Sequence, residues 1–393
     1  MIHVERLHNA DYLVVGVIGV SQTLLAYCLF HDWKPRLPRT VFRTAIAGLS
    51  GIWALTAFGM WLNLAPSELT RGVPSLAHAL GSGVEILWGF ASSATIAIYL
   101  GGRTLMRRLP GSCSPSRRQA IKATIGAAIA APAATTGFGA FVERTRFHVK
   151  ELDLPVPNLP RDFEGLRVAQ ISDLHVSPFL SVRDAGRAVD MANELKPHLT
   201  LVTGDLISEA GDPLDATIAE LARLRADLGV LGCLGNHEVY ADCEDYATAQ
   251  ARRVGIEILR SEARRLKRGS ATISIAGVDF QSFRHREAYL RGAERLIALG
   301  MANILMSHNP DVFPVAVRKG FDSVISGHTH GGQVTVEILN QTLNVVRFFT
   351  PYVAGLYRLR GRSCYVTAGI GTIGMPVRLG APPEIALLRL RQA

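Results

Sequence analysis

The sequence predicts an α/β fold in its C-terminal part, preceded by an all-α region of apolar helices. Three observations carry this. In the C-terminal part, short β-branched runs alternate with helical stretches, the order that β-α-β crossovers require. Five of those runs end in a cluster of carboxylate, carboxamide or imidazole side chains. In the N-terminal part, uncharged runs reach the ~20 residues needed to cross a bilayer's hydrocarbon core.

The chain has 393 residues, enough for two regions. We divide it into a membrane region over 1–142, a linker over 143–160 and a catalytic domain over 161–393. Hydrophobic residues make up 48% and charged ones only 19%, with a mean hydropathy of +0.20. That is apolar for a soluble enzyme. The five cysteines show no metal-type spacing. Cys233 and Cys243 are close enough in sequence to pair, but buried or free thiols are expected.

The net charge is +9, a balance that can signal nucleic acid. Here it is local. Lys34, Arg36, Arg39 and Arg43 stand against Asp32 in residues 31–43. Arg103, Arg107, Arg108, Arg117, Arg118 and Lys122 stand unopposed in residues 101–122. The rest of the chain is balanced. Both basic stretches lie between apolar segments, so they read as membrane topology signals and no nucleic acid partner is expected.

Taken in order, residues 12–30 and 44–64 are uncharged runs of spanning length. Residues 76–102 form a third candidate span, interrupted by His78 and Glu85. Glu85 is expected at the interface, where the apolar core of the span begins. The positive-inside rule makes loops 31–43 and 101–118 cytoplasmic. Loop 65–75, with only Glu68 and Arg71, suits the outside, as does the N-terminus with Glu5, Arg6 and Asp11. A fourth apolar stretch, 123–142, is rich in Ala, Thr and Gly and holds Pro132. It follows Ser116-Arg117-Arg118-Gln119-Ala120-Ile121-Lys122. This run resembles a twin-arginine export signal, with Ala120 where Phe is commoner. The alternative is an ordinary positive-inside flank. Either places the following domain outside the cytoplasmic membrane, and the small residues 130–133 would permit cleavage.

Residues 143–160 read as an extended tether, because Pro155, Pro157 and Pro160 disfavour regular structure. Its reach is at most ~60 Å. A strand is then expected near Leu166. Helices are expected over 181–195, 214–228, 246–254 and 288–299, with strands over 256–259 and 271–278. Residues 334–390 look strand-rich.

The five polar clusters come next. The run 166–172 leads to Asp173-Leu174-His175, and 198–203 leads to Gly204-Asp205. The run 230–234 leads to Gly235-Asn236-His237-Glu238, and 303–307 leads to His308-Asn309-Pro310-Asp311. The run 323–325 leads to Ser326-Gly327-His328-Thr329-His330-Gly331-Gly332-Gln333. Alone, two histidines one residue apart also fit a polar loop. In open α/β sheets, however, C-terminal strand ends converge on one crevice. Convergence would gather Asp173, His175, Asp205, Asn236, His308, His328 and His330. That set has nitrogen and oxygen donors but no thiolate. It suits pairs of Mn, Fe or Zn ions, not a structural zinc.

The order of these motifs resembles the calcineurin-like metallophosphoesterase superfamily over roughly residues 166–390. The Gly-His-Thr-His-Gly-Gly-Gln run and Tyr352-Val353-Ala354-Gly355-Leu356-Tyr357 resemble its membrane-associated bacterial branch. The resemblance implies a four-layer αββα sandwich of two mixed sheets with helices outside. It implies one metal at Asp173, His175, Asp205 and His330. It implies a second at Asp205, Asn236, His308 and His328, with Asp205 bridging and Mn favoured. His237 matches the catalytic histidine beside the phosphate. Glu238 stands where many members have Asp, outside the ligand set. Asp311 or Asp279 is expected to orient a ligand imidazole.

The implied activity is hydrolysis of a phosphomonoester or phosphodiester by two-metal activation of water. The implied setting is a multi-pass inner-membrane protein, with the domain on the periplasmic side and the lipid bilayer as a partner. A lipid-linked substrate is compatible with this setting, and Phe179, Leu180, Phe348 and Phe349 are candidate rim residues for acyl chains. Two alternatives stay open. One is a pyrophosphatase of the UDP-2,3-diacylglucosamine type, whose cytoplasmic substrate conflicts with this topology. The other is a non-catalytic metal-binding membrane sensor.

Overall fold

The structure is a computed structural model. It describes residues 8–28, 30–31, 34, 38–64, 73, 75–108, 114–338 and 341–393. The chain forms two compact units. The first is Met1–Ala140 with Gly374–Pro376, and the second is Phe141–Ile373 with Val377–Ala393. The orientation signals at Glu5, Arg6, Asp32, Arg36, Glu68 and Arg71 lie outside the described residues, as does Cys113.

The first unit is helical: α1 (His8–Cys28), α2 (Arg39–Leu64), α3 (Ser75–Arg108) and α4 (Pro115–Phe141). Helices α2 and α3 meet through glycines. A Cβ on Gly59 would stand 2.3 Å from the Gly81 carbonyl oxygen, and such small residues let helix backbones approach closely. Between α1 and α3 the contact is polar: the Trp88 indole donates to Gln22 at 2.9 Å. Among the described residues, Arg39–Leu62 and Pro115–Thr145 are long and apolar enough to cross a membrane, while the apolar helix Gly16–Cys28 is shorter. Glu85 differs from expectation. It lies in the third turn of α3 and is buried, because the helix starts well before it.

The second unit is built on two mixed six-stranded sheets with helices. One has the order β1 (His148–Val156), β14 (Glu384–Gln392), β2 (Arg167–Ile171), β3 (Leu199–Val202), β4 (Val230–Gly232), β5 (Ile256–Ile258). The other has the order β12 (Gly355–Leu359), β13 (Arg362–Val366), β9 (Ser323–Ser326), β8 (Asn303–Met306), β7 (Ala271–Gly277), β6 (Glu262–Arg268). One apolar cluster draws on both sheets, with Val168, Leu201 and Leu388 from the first and Ile275, Ile304 and Tyr365 from the second. A second cluster joins strand residues of the first sheet to α5 (Val182–Glu194) and α6 (Leu214–Leu221). A third joins the second sheet to α9 (Phe313–Lys319). The small sheet β10 (Thr335–Ile338) and β11 (Gln341–Asn344) stands apart from both.

Three expectations need correction. Residues 143–160 are not a free tether. Nine residue pairs join β1 in parallel to β14, and Leu154 and Val156 are fully buried. The prolines misled because β1 is an edge strand, where a missing N–H is tolerated. A unit cut at residue 161 would lose this strand. Residues 288–299 are not one helix. They hold a single 3-10 turn, Ala293–Leu296, because Gly292 enters the left-handed region at φ +77. Strand β6 was missed: Glu262–Arg268 is almost all charged and only Leu266 is buried. Charged side chains are what a solvent-facing edge strand uses against unwanted pairing.

Other elements fall near their expected places. Helix α5 starts at a capping box in which Ser181 Oγ accepts from the Asp184 N–H and Asp184 accepts from the Ser181 N–H. The remaining helices are α7 (Asn236–Tyr240) and α8 (Glu244–Arg253).

Candidate metal centre

Each expected ligand follows the C-terminal end of a strand. Asp173 and His175 follow β2, Asp205 follows β3 and Asn236 follows β4. His308 follows β8, and His328 and His330 follow β9. The chain must turn sharply at these ends to aim the side chains inward. Asp173, His175, Asp205, His328 and His330 all adopt positive φ, between 47° and 75°. Such non-glycine conformations cost of order 1 kcal/mol or more and persist where surrounding contacts impose them. Gly204 shows one such constraint: a Cβ there would stand 2.5 Å from the Gly235 nitrogen and 2.8 Å from His308 Nδ1.

The structure brings these residues together as two sets that share Asp205. The first is Asp173, His175, Asp205 and His330; the second contains Asp205, His308 and His328. In the first, His175 Nε2 lies 3.1 Å from His330 Nε2 and 3.3 Å from Asp205 Oδ2. In the second, His308 Nε2 lies 2.9 Å from Asp205 Oδ2, and the His308 and His328 rings are 5.0 Å apart. Asn236 is 5% exposed, and its side-chain oxygen has no hydrogen-bond partner.

The electrostatics call for cations. His308 Nδ1 lies 2.6 Å from the Thr203 carbonyl oxygen, which can only accept, so this nitrogen carries a proton. Its Nε2 then faces a carboxylate oxygen and needs a positive group between them. Burial opposes charge on His308, but Asp205 and Asp173 outweigh it and the ring pKa is pushed up to about 10. Burial opposes ionisation of Asp205 too, yet His308 and His175 hold its carboxyl well below the usual range. His328 and His330 are held neutral. Burial, reinforced by His308, takes His328 down to about 3. Burial and His175 hold His330 well below its ordinary value. Neutral imidazoles and ionised carboxylates are the forms that bind metal; His308, held charged, and Asp173, whose carboxyl burial shifts up, would give up protons to a bound ion. Among the atoms of the two sets, Asp173 Oδ2 has no hydrogen-bond partner, and His308 Nε2 faces Asp205 Oδ2 without a hydrogen bond. Orphaned donors and acceptors are rare in protein interiors, and these fit divalent ions.

Comparison with known proteins agrees with this geometry. Residues 166–332 match the family described as calcineurin-like phosphoesterase. Residues 166–332 are thus similar to a calcineurin-like phosphoesterase domain. The match and the names of the relatives indicate a hydrolase acting on phosphoester bonds. A zebrafish (Danio rerio) protein named transmembrane protein with metallophosphoesterase domain is 31% identical over 258 residues, 62% of this chain and 57% of its own length. Its Bos taurus namesake is 27% identical over 323 residues, 78% of this chain and 70% of its own. The uncharacterized metallophosphoesterase YkuE of Bacillus subtilis is 29% identical over 287 residues, 70% of this chain and 98% of its own. The chain thus spans little more than half of the zebrafish relative.

Around the candidate ligands, the structure adds what the motifs did not show. His237 N donates to Asp205 Oδ1 at 2.9 Å, and its Nδ1 donates to the Ser208 carbonyl. Its ring stands edge-on to His175 at 4.6 Å. Glu238 is fully buried and staples two loops: its carboxylate accepts from Gly235 N at 2.7 Å, Leu206 N at 2.6 Å and Asp205 N at 3.1 Å. Arg378 was missed altogether. Its guanidinium is fully buried and donates to the carbonyls of Gly371, Ala381 and Ala368 at 3.0, 2.9 and 2.9 Å. It also lies 3.4 Å from His330 Nδ1. No motif marks a lone arginine in a glycine- and proline-rich loop.

Neither Asp311 nor Asp279 orients a ligand imidazole. Asp279 accepts from Arg260 at 2.8 Å, and Asp311 accepts from Thr350 and pairs with Arg286 at 3.3 Å. Backbone carbonyls take that role: Thr203 for His308 and Gly371, at 3.4 Å, for His330. Of the expected rim residues, Leu180 is core and Phe179 half-buried, because the turn before α5 packs inward. Phe348 and Phe349 are exposed. Among the described residues, Cys28, Cys233, Cys243 and Cys364 form no disulfide.

Proposed function

We propose that the chain is a membrane-anchored phosphoesterase that uses two divalent ions, with its domain on the exterior side of the cytoplasmic membrane. The observation that carries this is the pair of buried ligand sets sharing Asp205, with partnerless atoms facing inward. Asp173, His175, Asp205 and His330 would hold one ion. Asp205, Asn236, His308 and His328 would hold the other, with Mn favoured. A bound pair supplies charge stabilisation for the phosphoryl oxygens and lowers the pKa of water. Asp205 would serve both ions, because its Oδ2 faces His175 of the first set and His308 of the second while Oδ1 accepts from the His237 N–H. Asn236 contributes a neutral oxygen, which limits the negative charge of the site.

His237 is the candidate proton carrier. Its Nδ1–H is committed to Ser208, so Nε2 gives a proton to the leaving oxygen only after the ring has taken up a second proton as imidazolium, a form that burial makes readier to release it. Phe280 lies over the second set, 5.6 Å from the His328 ring, and helps to exclude water there. The two helices of spanning length and the names of the relatives support anchorage. The paired arginines Arg117 and Arg118 and the basic flanks support the exterior placement. An anchored domain suits a lipid-linked or cell-envelope phosphoester.

The test is hydrolysis of a chromogenic aryl phosphodiester by the full chain in detergent, with and without added Mn. Activity that survives a strong chelator would sink the two-metal reading. A reporter active only in the cytoplasm, fused after Ala393, should stay silent. Comparing a lipid phosphoester in micelles with its soluble head-group analogue tests the substrate. Equal kcat/KM for the two would remove the case for a lipid.

A further inference from the structure

We infer that the second unit presents a fixed aromatic and basic face, centred on Phe348 and Phe349, that docks into the surface of an anionic lipid bilayer. This rests on the membrane anchorage proposed above and adds a second, independent point of lipid contact.

The face begins where the last apolar stretch enters the domain. Residues Pro115–Thr145 form a candidate span, and Phe141, the first residue of the second unit, is 80% exposed. Just beyond it, the chain is pinned to the domain. The Gly380 N–H donates to the Glu143 carboxylate at 2.9 Å, and Arg187 donates to the Thr145 carbonyl at 3.1 Å. Gly380 and Ala381 line a cavity of about 300 Å³ whose wall also carries Lys150 and Arg347. Arg347 leads directly into Phe348 and Phe349, which are 87% and 72% exposed. A line of contacts within the domain thus runs from the end of the apolar stretch to the two phenylalanines.

These phenylalanines are held out, not left loose. The turn Val345–Phe348 is capped by the Asn344 side chain, which accepts from Val346 N at 2.9 Å. The same side chain donates to the Gly331 carbonyl at 2.9 Å, one residue from the ligand His330. On the far side, Arg286 donates to the Phe349 carbonyl at 3.2 Å, and Thr350 is bonded to Asp311. Arg286 itself belongs to the turn Phe283–Ala288, whose Phe283 is 49% exposed. A soluble face has no use for several anchored, exposed aromatic rings. At a bilayer interface, aromatic rings sit at head-group depth and arginines meet lipid phosphates. Arg284 and Arg347 supply those cations, while Arg286, paired with Asp311, holds the Phe349 backbone, so the occupant that matches the chemistry is an anionic leaflet.

The experiment uses the full chain with its four natural tryptophans changed to Phe, carrying one new tryptophan at a time. It is placed in vesicles of phosphatidylcholine and phosphatidylglycerol with bromine on the acyl chains. The variants are Phe348→Trp, Phe349→Trp and, as the anchor control, Phe141→Trp. The expected result is loss of more than half of the Trp emission at 348 or 349, and protection there from the soluble quencher acrylamide. Arg284→Gln with Arg347→Gln should reverse both effects, and so should vesicles of phosphatidylcholine alone. If the tryptophan at 141 is quenched by lipid but those at 348 and 349 stay open to acrylamide, docking is wrong while anchorage stands. Quenching at 348 or 349 without quenching at 141 supports docking and places Phe141 outside the acyl region. If neither 348 nor 349 is quenched, docking falls. Shielding at 348 that appears without lipid and grows with protein concentration means that a second copy covers the face, and overturns the proposal.

Discussion

The two ligand sets share Asp205 but are held in place by different parts of the chain. The first set leans on the C-terminal segment. His330 is backed by the Gly371 carbonyl and by Arg378, and both lie beyond the residues that match the family. The second set leans on the loops after β3 and β4. There the Thr203 carbonyl fixes His308, and Glu238 staples the Asp205 and Asn236 loops. One centre is therefore assembled from a motif-bearing part and a motif-free part. Its two halves should fail separately when their supports are removed.

The largest effect is expected where the halves meet. Asp205→Ala removes the only side chain common to both sets. Activity should fall to background, and metal content per chain should fall at both positions. Retention of one tightly held ion per chain would mean that the sets do not depend on a shared carboxylate. His237→Ala comes next and should leave both halves intact. Metal content should hold while kcat falls about 10²–10⁴-fold, the usual worth of a positioned acid or base. The loss should be greatest for poor leaving groups. If the variant loses metal as fully as Asp205→Ala, His237 is a ligand and not a proton carrier.

The contrast between the halves also shows what the sequence made legible. Five apolar runs ending in polar clusters sufficed to find the strand ends and to gather the ligand candidates, because β-strands aim their C-terminal ends at one crevice in such sheets. What escaped was long-range. The Pro155-bearing strand β1 pairs only with β14, more than two hundred residues later, and no local pattern encodes that pairing. Strand β6 hid behind its charges. Arg378 is ordinary in sequence and becomes important only when carbonyls from three residues converge on it. Glu238 was visible as a motif neighbour, but its hydrogen bonds across the Asp205 loop were not.

Glu238→Gln sharpens the comparison at the second half. A carboxylate can accept from all three backbone N–H groups, whereas an amide turns one of its two ends into a donor. At least one buried N–H near Asp205 or Gly235 would be left unpaired or displaced. Metal affinity should drop about 10–100-fold, as when a group supporting a ligand is lost, and more at the Asn236 and His308 side than at the other. A competitive titration with a fluorescent chelator reads this as one weakened step of two. Equal weakening of both steps would place Glu238 behind Asp205 alone.

Arg378→Lys is the smallest and most selective break. Lysine keeps the charge but cannot span three carbonyls with a planar fork. Burial disfavours the charge here, bringing the arginine pKa down to about 10 against the opposing pull of Asp173, Glu384 and Glu143, and the carbonyl bonds fix the orientation of the guanidinium. Losing their geometry frees the Gly371 carbonyl to shift, and with it the orientation of the His330 ring. Affinity at the first set should fall about tenfold, at the lower end for a supporting group, with the second set unchanged. A purely structural role would instead lower thermal stability and leave the two metal-binding steps in their original ratio. Measuring that ratio in Arg378→Lys and in Glu238→Gln completes the comparison. Opposite changes establish two separately supported half-sites, and parallel changes would mean that the centre behaves as one rigid unit.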